Sequence, residues 1–390
     1  MTDLCVAVET LNVEVTETAG IRRFGYPLSV KLPTLPSGPA NARLRDAGKA
    51  VAAQFRQDHH DGAEVWWLDF NLSLMPNESR TLTLAYGPDV AADPEPRGLE
   101  LKQMPDGFEI RNGPHLTWTL GRDLVKLLKS VDAGELQHLR SGGARLDIAG
   151  ANDVPYKIAD EATPRVLRSG PLAIAIRYQF APTTGALAET KSTIDLTFPN
   201  SKSWVQVEWQ MEDPRQAVRS VRAEIAQNLD PPTDKEPTLV DFGASSLVYM
   251  SLAPGTAGKF YARRAVPQSK SPVGPSWEIL RGANEKLEPF VVAASRGRSA
   301  DAEGWAHVMD RRRCLALAIG EFGNQGDDSI ETTAEGNLSL TRRFATDEPN
   351  SSMTKRFQFW LHFVGFPLHL TAATSPQAML SPLVVRISKP

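Results

Sequence analysis

Apolar and polar residues alternate with a period of two along most of this 390-residue chain. A period of two is the signature of an extended strand, whose successive side chains point to opposite faces. From Trp66, the residues Trp66, Leu68, Phe70, Leu72 and Leu74 share one face, and Trp67, Asp69, Asn71 and Ser73 share the other. After a turn over residues 75–79, Leu82, Leu84 and Tyr86 alternate with Thr81, Thr83 and Ala85, which predicts a hairpin with one wet face. A second case starts at Lys191, where Ile194, Leu196 and Phe198 alternate with Thr193, Asp195 and Thr197. Beyond the turn at 199–203, Val205, Val207, Trp209 and Met211 alternate with Trp204, Gln206, Glu208, Gln210 and Glu212. Shorter strands are predicted over 28–32, 108–110, 116–120, 173–180, 247–252, 314–319, 338–340 and 357–363. Helix is predicted only over 124–130 and 215–222, both too short to form a layer. With 29 prolines as punctuation, the pattern predicts an all-β protein.

The segment 88–98 carries prolines, small residues and acids without alternation and reads as a linker. It divides a small β-barrel over 1–95 from a large antiparallel β-sandwich over 98–390. Polar stretches at 230–237 and 259–275 read as surface loops of the larger unit.

Composition narrows the function classes. There are 43 Lys and Arg against 46 Asp and Glu, a net charge of −3, so the overall positive field of a nucleic-acid binder is missing. The two cysteines, Cys5 and Cys314, stand far apart and in no metal-ligand spacing, which excludes a disulfide framework and a cysteine zinc site. No basic segment with an apolar run follows Met1, so the chain is read as cytoplasmic. Residues 357–385 lack Asp, Glu, Lys and Arg, but Pro367, Pro376 and Pro382 interrupt them; buried strands are expected there, not a membrane span. The phosphate-binding, dinucleotide-binding and hydrolase-elbow motifs GxxxxGK[ST], GxGxxG and GxSxG are missing. His59-His60-Asp61 reads as a polar turn, because neighbours on a strand point apart. No metal and no cofactor are expected.

Several segments, in order, resemble a known family. They are Ile21-Arg22-Arg23-Phe24-Gly25-Tyr26-Pro27-Leu28, the stretch 41–55 ending in Gln54-Phe55, Trp66-Trp67-Leu68-Asp69-Phe70, and the stretch 77–87 ending in Tyr86-Gly87. This order is similar to the N-terminal RIFT-type barrel of the exo-rhamnogalacturonan lyases. Ser169-Gly170-Pro171-Leu172-Ala173 and the stretch 304–322 are similar to segments of that family's central sandwich. The family's C-terminal α/α-toroid has no counterpart in the chain. The resemblance therefore implies an oligo- or polysaccharide partner, acidic or plant-type, bound by an accessory module, with a protein partner supplying the toroid. An active polysaccharide lyase and a structural subunit remain the alternatives.

A lyase needs a base near the sugar C5 proton and an acid or cation that neutralises the uronate. Tyr156, Arg177, Tyr178, His307 and Arg311 are chemically suited to that, and Tyr156, His307 and Arg311 are singled out as the catalytic candidates. His307, near Asp310 and Arg311, also has the plainer reading of a satisfied strand residue. Trp204 with Glu208, Trp67 with Asp69, and Trp305 place an indole beside carboxylates or beside His307. Such groups stack on a sugar ring and accept its hydroxyl protons; the plainer reading covers each indole with a loop or a second sheet.

Overall fold

The computed structural model describes residues 8–32, 41–60, 63–113, 115–124, 126–150, 155–156, 162–181, 187–244, 247–264, 276–283, 286–293, 302–345, 353–365 and 376–390. Where residues alternate apolar and polar, antiparallel strands form. Among the described residues the only helix is Pro376–Leu380. The chain is all-β.

Two large sheets, of thirteen and nine strands among the described residues, pack face to face. Their inner side chains interleave into one core in which Trp118, Tyr178, Phe198, Trp209, Phe242, Phe260 and Phe357 are fully buried. The hairpin Lys191–Pro199 and Trp204–Glu212 forms as the alternation requires, with Asp195 opposite Glu208. Its Ile194, Leu196, Phe198, Val207, Trp209 and Met211 point into the core at 0% exposure. Such burial stabilises by about 1.5–3 kcal/mol per large side chain.

A second, smaller core lies between two further sheets. One joins Glu9–Thr16, Ser79–Gly87, Asn41–Asp46 and Lys49–Val51; the other joins Arg23–Lys31, Ala63–Leu74 and Ala53–His60. Val13, Val15, Leu44, Leu68, Phe70, Leu82 and Leu84 fill the space between them. The chain's last strand, Val384–Ser388, returns to pair with Glu9–Thr16, setting Val384 opposite Thr16. The smaller unit thus takes an edge strand from far beyond the linker. That linker is pinned to it by ion pairs of Asp93 with Arg45 and of Glu95 with Arg56.

Four expectations of secondary structure are corrected. Ala63–Leu74 and Ser79–Gly87 are not a hairpin: the first pairs with Arg23–Lys31 and Ala53–His60, the second with Glu9–Thr16 and Asn41–Asp46. Their turn is held from outside, because the Glu17 carboxylate accepts from Asn77 N at 3.0 Å and Glu17 N donates to Glu78 O at 2.9 Å. The chain can therefore swing from one sheet to the other without a ladder between the two strands. In place of the expected helix at 124–130 the strand Leu128–Ala133 forms, since Leu128 and Val131 fill the sandwich core and so short a helix does not repay its nucleation. At 215–222 a loop, tied off by the Asp213 carboxylate accepting from Ala217 N and Val218 N, leads into the strand Ser220–Gln227. Residues 259–262 of the expected loop belong to the strand Thr256–Ala262, whose Phe260 is fully buried; 265–275 lie outside the described residues.

The face that Trp67, Asp69 and Asn71 share, expected to be wet, is instead docked on the nine-stranded sheet, while Ser73 at its end stays exposed as expected. Asp69 is 1% exposed, and Asn71 Nδ2 donates to Asn200 Oδ1 at 2.9 Å. Gln54 is the centre of this junction. Its Oε1 accepts from Leu172 N at 2.8 Å and Ala173 N at 3.1 Å, while its Nε2 donates to Ala173 O at 3.1 Å and to Asp69 Oδ2 at 3.2 Å. Trp204, Trp305, Trp360, Ala316 and Ala318, all on the outer face of the nine-stranded sheet, join the smaller core together with Met379 of the short helix.

Candidate functional site

Strand register sets the outer face of the nine-stranded sheet into rows. One row runs Arg177, Asp195, Glu208, Gln358, each opposite the next on neighbouring strands. It is extended by Gly320, whose N–H donates to Gln358 O at 2.8 Å. The next row runs Arg168, Ala175, Thr197, Gln206, Trp360, Ala318, Trp305. A third runs Trp204, His362, Ala316, His307, Asp241.

The first row, and the second from Arg168 to Trp360, floor a cleft of about 710 Å³, within the range of ligand sites. Its walls come from the smaller unit and the short helix: Tyr26, Ser29, Lys31 and Trp67 on one side, Met379 and Leu383 on another. The floor is polar and largely internally paired. Arg177 grips Asp195 with Nε to Oδ1 and a terminal nitrogen to Oδ2, both 2.7 Å, a bidentate fork. Glu208 is paired with Arg356 and accepts from Gln210 Nε2 at 2.8 Å.

Arg168 is the hinge between floor and wall. It is 7% exposed; its guanidinium lies over the Trp67 ring, 4.4 Å from the centroid, and donates to Ser29 Oγ at 3.0 Å. Its Nε is 3.5 Å from Asp69 Oδ2. Burial raises the Asp69 carboxyl above the usual range, against the pull of Arg168 and the Ser29 hydroxyl.

The structure brings Trp67, Trp204 and Glu208 into this one cleft. Asp69 lies directly behind it, hydrogen-bonded to Ser29 and Gln54 and acting on the cleft through Arg168. Trp204 is only 4% exposed, edge-on to Tyr26 at 6.1 Å and to His362 at 5.7 Å. Its ring is therefore packing under the docked unit, as the plainer reading held. Trp305 is 8% exposed, donates to Glu303 Oε2 at 2.6 Å and does not line the cleft.

The three acid-base candidates sit elsewhere. Tyr156 lies in the thirteen-stranded sheet opposite Ile148, packed on the sandwich core. His307 is 6% exposed with Nδ1 at 3.4 Å from Asp241 Oδ2. Arg311 is an exposed turn residue paired with Glu236 at 2.6 Å. None of them lines the cleft.

Sequence reasoning missed Trp360, Arg168, Gln206 and Gln358 as lining residues. For Gln358 and Trp360 the signal was present: in Thr354–Gly365 the residues Phe357, Phe359, Leu361 and Phe363 face the core, which leaves Gln358, Trp360 and His362 outward. Asp61 of the His-His-Asp group lies outside the described residues. Among the described residues no helix is long and apolar enough to cross a membrane.

No family model and no curated protein matches the chain. Solved structures do. A glycosyl hydrolase family 38 protein from Enterococcus faecalis aligns over 97% of this chain and 47% of its own, with a TM-score of 0.57 at 12% identity. An alpha-mannosidase from Enterococcus faecalis aligns over 97% and 46%, with a TM-score of 0.56 at 13% identity. This chain thus spans about half the length of each. At such identities the likeness is one of fold.

Proposed function

We propose that this chain binds, and in its fullest role processes, a carbohydrate in the cleft between the smaller unit and the nine-stranded sheet. The observation that carries the reading is the composition of that cleft: a row of hydrogen-bonding side chains, Arg177, Asp195, Glu208 and Gln358, with the Trp67 ring at its wall. Sugars present hydroxyls around an apolar ring face, so a polar floor beside an indole is complementary to them. The glycosyl hydrolase family 38 protein and the alpha-mannosidase that share the fold add support. Kinship with the exo-rhamnogalacturonan lyases belongs to the same proposal. Its support is the order of the motifs and the direct contact of Gln54 with Leu172 and Ala173, which joins two of them.

The test is thermal shift and titration of the purified chain against a glycan panel, repeated with Glu208→Gln and Trp67→Ala. A sugar that stabilises the wild type, by binding the folded state alone, and fails to stabilise these variants supports the cleft. Sugar binding that both variants retain removes it. A lyase reading draws on Lys31, Arg168 and Arg177, cations that line the cleft and would face a uronate. It predicts absorbance from an unsaturated uronide product, with sensitivity to Arg177 substitution.

A further inference from the structure

Glu321 is held in a backbone conformation that its residue type disfavours. Among the described residues the non-glycine positive φ values fall at Ala47, Asn77, Gln216 and Glu321, and of these only Glu321, at 53°, lines the cleft. A side chain in the left-handed region is strained unless its surroundings over-determine it. Here they do. Arg342, 1% exposed, donates a terminal nitrogen to Gly320 O at 2.7 Å and to Glu321 O at 3.3 Å. The same guanidinium grips the fully buried Asp328 through two bonds of 2.8 Å, and Asp328 Oδ2 accepts from Gly323 N at 2.7 Å. The turn that carries Glu321 is thus fastened into the core on one side and to Gln358 on the other, with Glu208 on the strand beyond Gln358.

The charges of the cleft are balanced before any ligand enters. Lys31, Arg168 and Arg177 line it, and so do Asp195, Glu208 and Glu321. Arg177 is committed to Asp195, Arg168 lies between Trp67 and the buried Asp69, Glu208 is paired with Arg356, and Glu321 accepts from Gln325 Nε2 through one carboxylate oxygen, leaving the other to a ligand. A ligand carboxylate would add a negative charge to a cleft that already holds three carboxylates and whose two arginines are engaged. A ligand of hydroxyls alone finds acceptors and brings no charge.

Resting on the carbohydrate reading above, we propose that the cleft takes an uncharged sugar and that Glu321, together with Glu208, reads its hydroxyls as hydrogen-bond acceptors. The strained turn then serves recognition at a cost in stability.

The experiment compares neutral methyl hexosides and their oligomers with hexuronate oligomers by titration calorimetry, on the wild type, Glu321→Gly and Glu321→Gln. Glycine accepts the positive φ without strain, so Glu321→Gly is expected to keep the wild-type Tm or raise it by about 1–2 °C. Its affinity for a neutral sugar is expected to fall roughly tenfold or more, the size of a lost hydrogen bond to a charged group. Glu321→Gln should lose affinity too, while keeping the shape of the side chain. The inference is overturned if hexuronates bind as tightly as neutral sugars, if Glu321→Gly keeps wild-type affinity, or if its Tm falls by several degrees. Those results leave the carbohydrate reading standing. Silence of the wild type towards both classes overturns this inference and the carbohydrate reading together.

Discussion

Gln54→Leu removes the hydrogen bonds at the centre of the junction between the smaller unit and the sandwich while leaving side-chain volume nearly unchanged. Gln54 is 1% exposed and makes four hydrogen bonds: two from Leu172 N and Ala173 N, one to Ala173 O and one to Asp69 Oδ2. Leucine replaces none of them. Leu172 and Ala173 are each 3% exposed and Asp69 1%, so their polar groups do not regain water without movement of the junction. At the low end of about 1 kcal/mol for each buried group left unmade, the loss is about 4 kcal/mol. With an unfolding entropy of roughly 2.1 cal/mol/K per residue, a chain of this length unfolding as one unit would lose about 5 °C in Tm. Urea titration gives the free energy. Hydrogen exchange read on peptides covering Leu172 and Ala173 locates it, since their amide protons lose their acceptor. The reasoning fails if stability changes by less than about 1 kcal/mol while those amides keep wild-type protection. Gly170→Ala attacks the same contact from the other side, because a Cβ there would meet the Gln54 carboxamide at 2.5 Å. Overpacking of this kind costs about 1–3 kcal/mol.

Asp328→Ala leaves the Arg342 guanidinium buried without a counter-ion, and a loss of about 3–5 kcal/mol in urea titration is expected; a change within experimental error would show that the guanidinium finds another partner. Stability should also fall as the solution turns mildly acidic. Burial holds His362 down to about 3, with repulsion from Lys202, His307 and His138 added, and burial with repulsion from Arg313 holds His138 at about 4. Both imidazoles are neutral in the fold and protonate in the unfolded chain near 6.5, so their stability is whole above that pH and is lost as pH drops towards 3. By pH 5 each contributes a loss of about 2 kcal/mol. His362→Asn with His138→Asn should flatten the profile between pH 6.5 and 5, and an unchanged slope in that double variant would point to other groups. Glu17 acts lower still: against the effect of its burial, bonds from Asn77 N, Arg23, Ala19 N and Ile21 N hold it at about 2, so its contribution is present above pH 4.5 and is lost between 4.5 and 2 in acid titration of the wild type against Glu17→Gln.

The alternation along the chain told which face of a strand is buried, and that was enough for the fold class. In Lys191–Pro199 and Trp204–Glu212 it was also enough for pairing: the two strands face each other across a four-residue turn, with Asp195 opposite Glu208. The same signal over Ala63–Leu74 and Ser79–Gly87 misled. There a turn of the same length is held by Glu17, a residue 60 positions from the Asn77 amide that it binds, and the two strands pair in different sheets. No local pattern encodes that contact. The short helix Pro376–Leu380 was hidden for a related reason: its Ala378 and Met379 are buried by docking on the smaller core, not by any amphipathic repeat.

The site follows the same division. Trp67 and Glu208 were legible as outward residues, and the structure brings them to one cleft because two outward faces meet there. Outward in the pattern is not the same as wet. Asp69 sits on the polar side of its strand and is as buried as Phe70 on the apolar side, both 1% exposed. Once a sheet face is covered by a second unit, its polar residues must be satisfied by that unit, which is why Asp69 meets Ser29, Gln54 and Arg168. Polar positions shared with tryptophans on an outward face, as in Trp67–Asp69 and Trp204–Gln206–Glu208, therefore mark a docked face. The cleft lies where that docking is incomplete, and there the side chains of Gln206, Glu208, Glu321 and Gln358 are left facing a ligand.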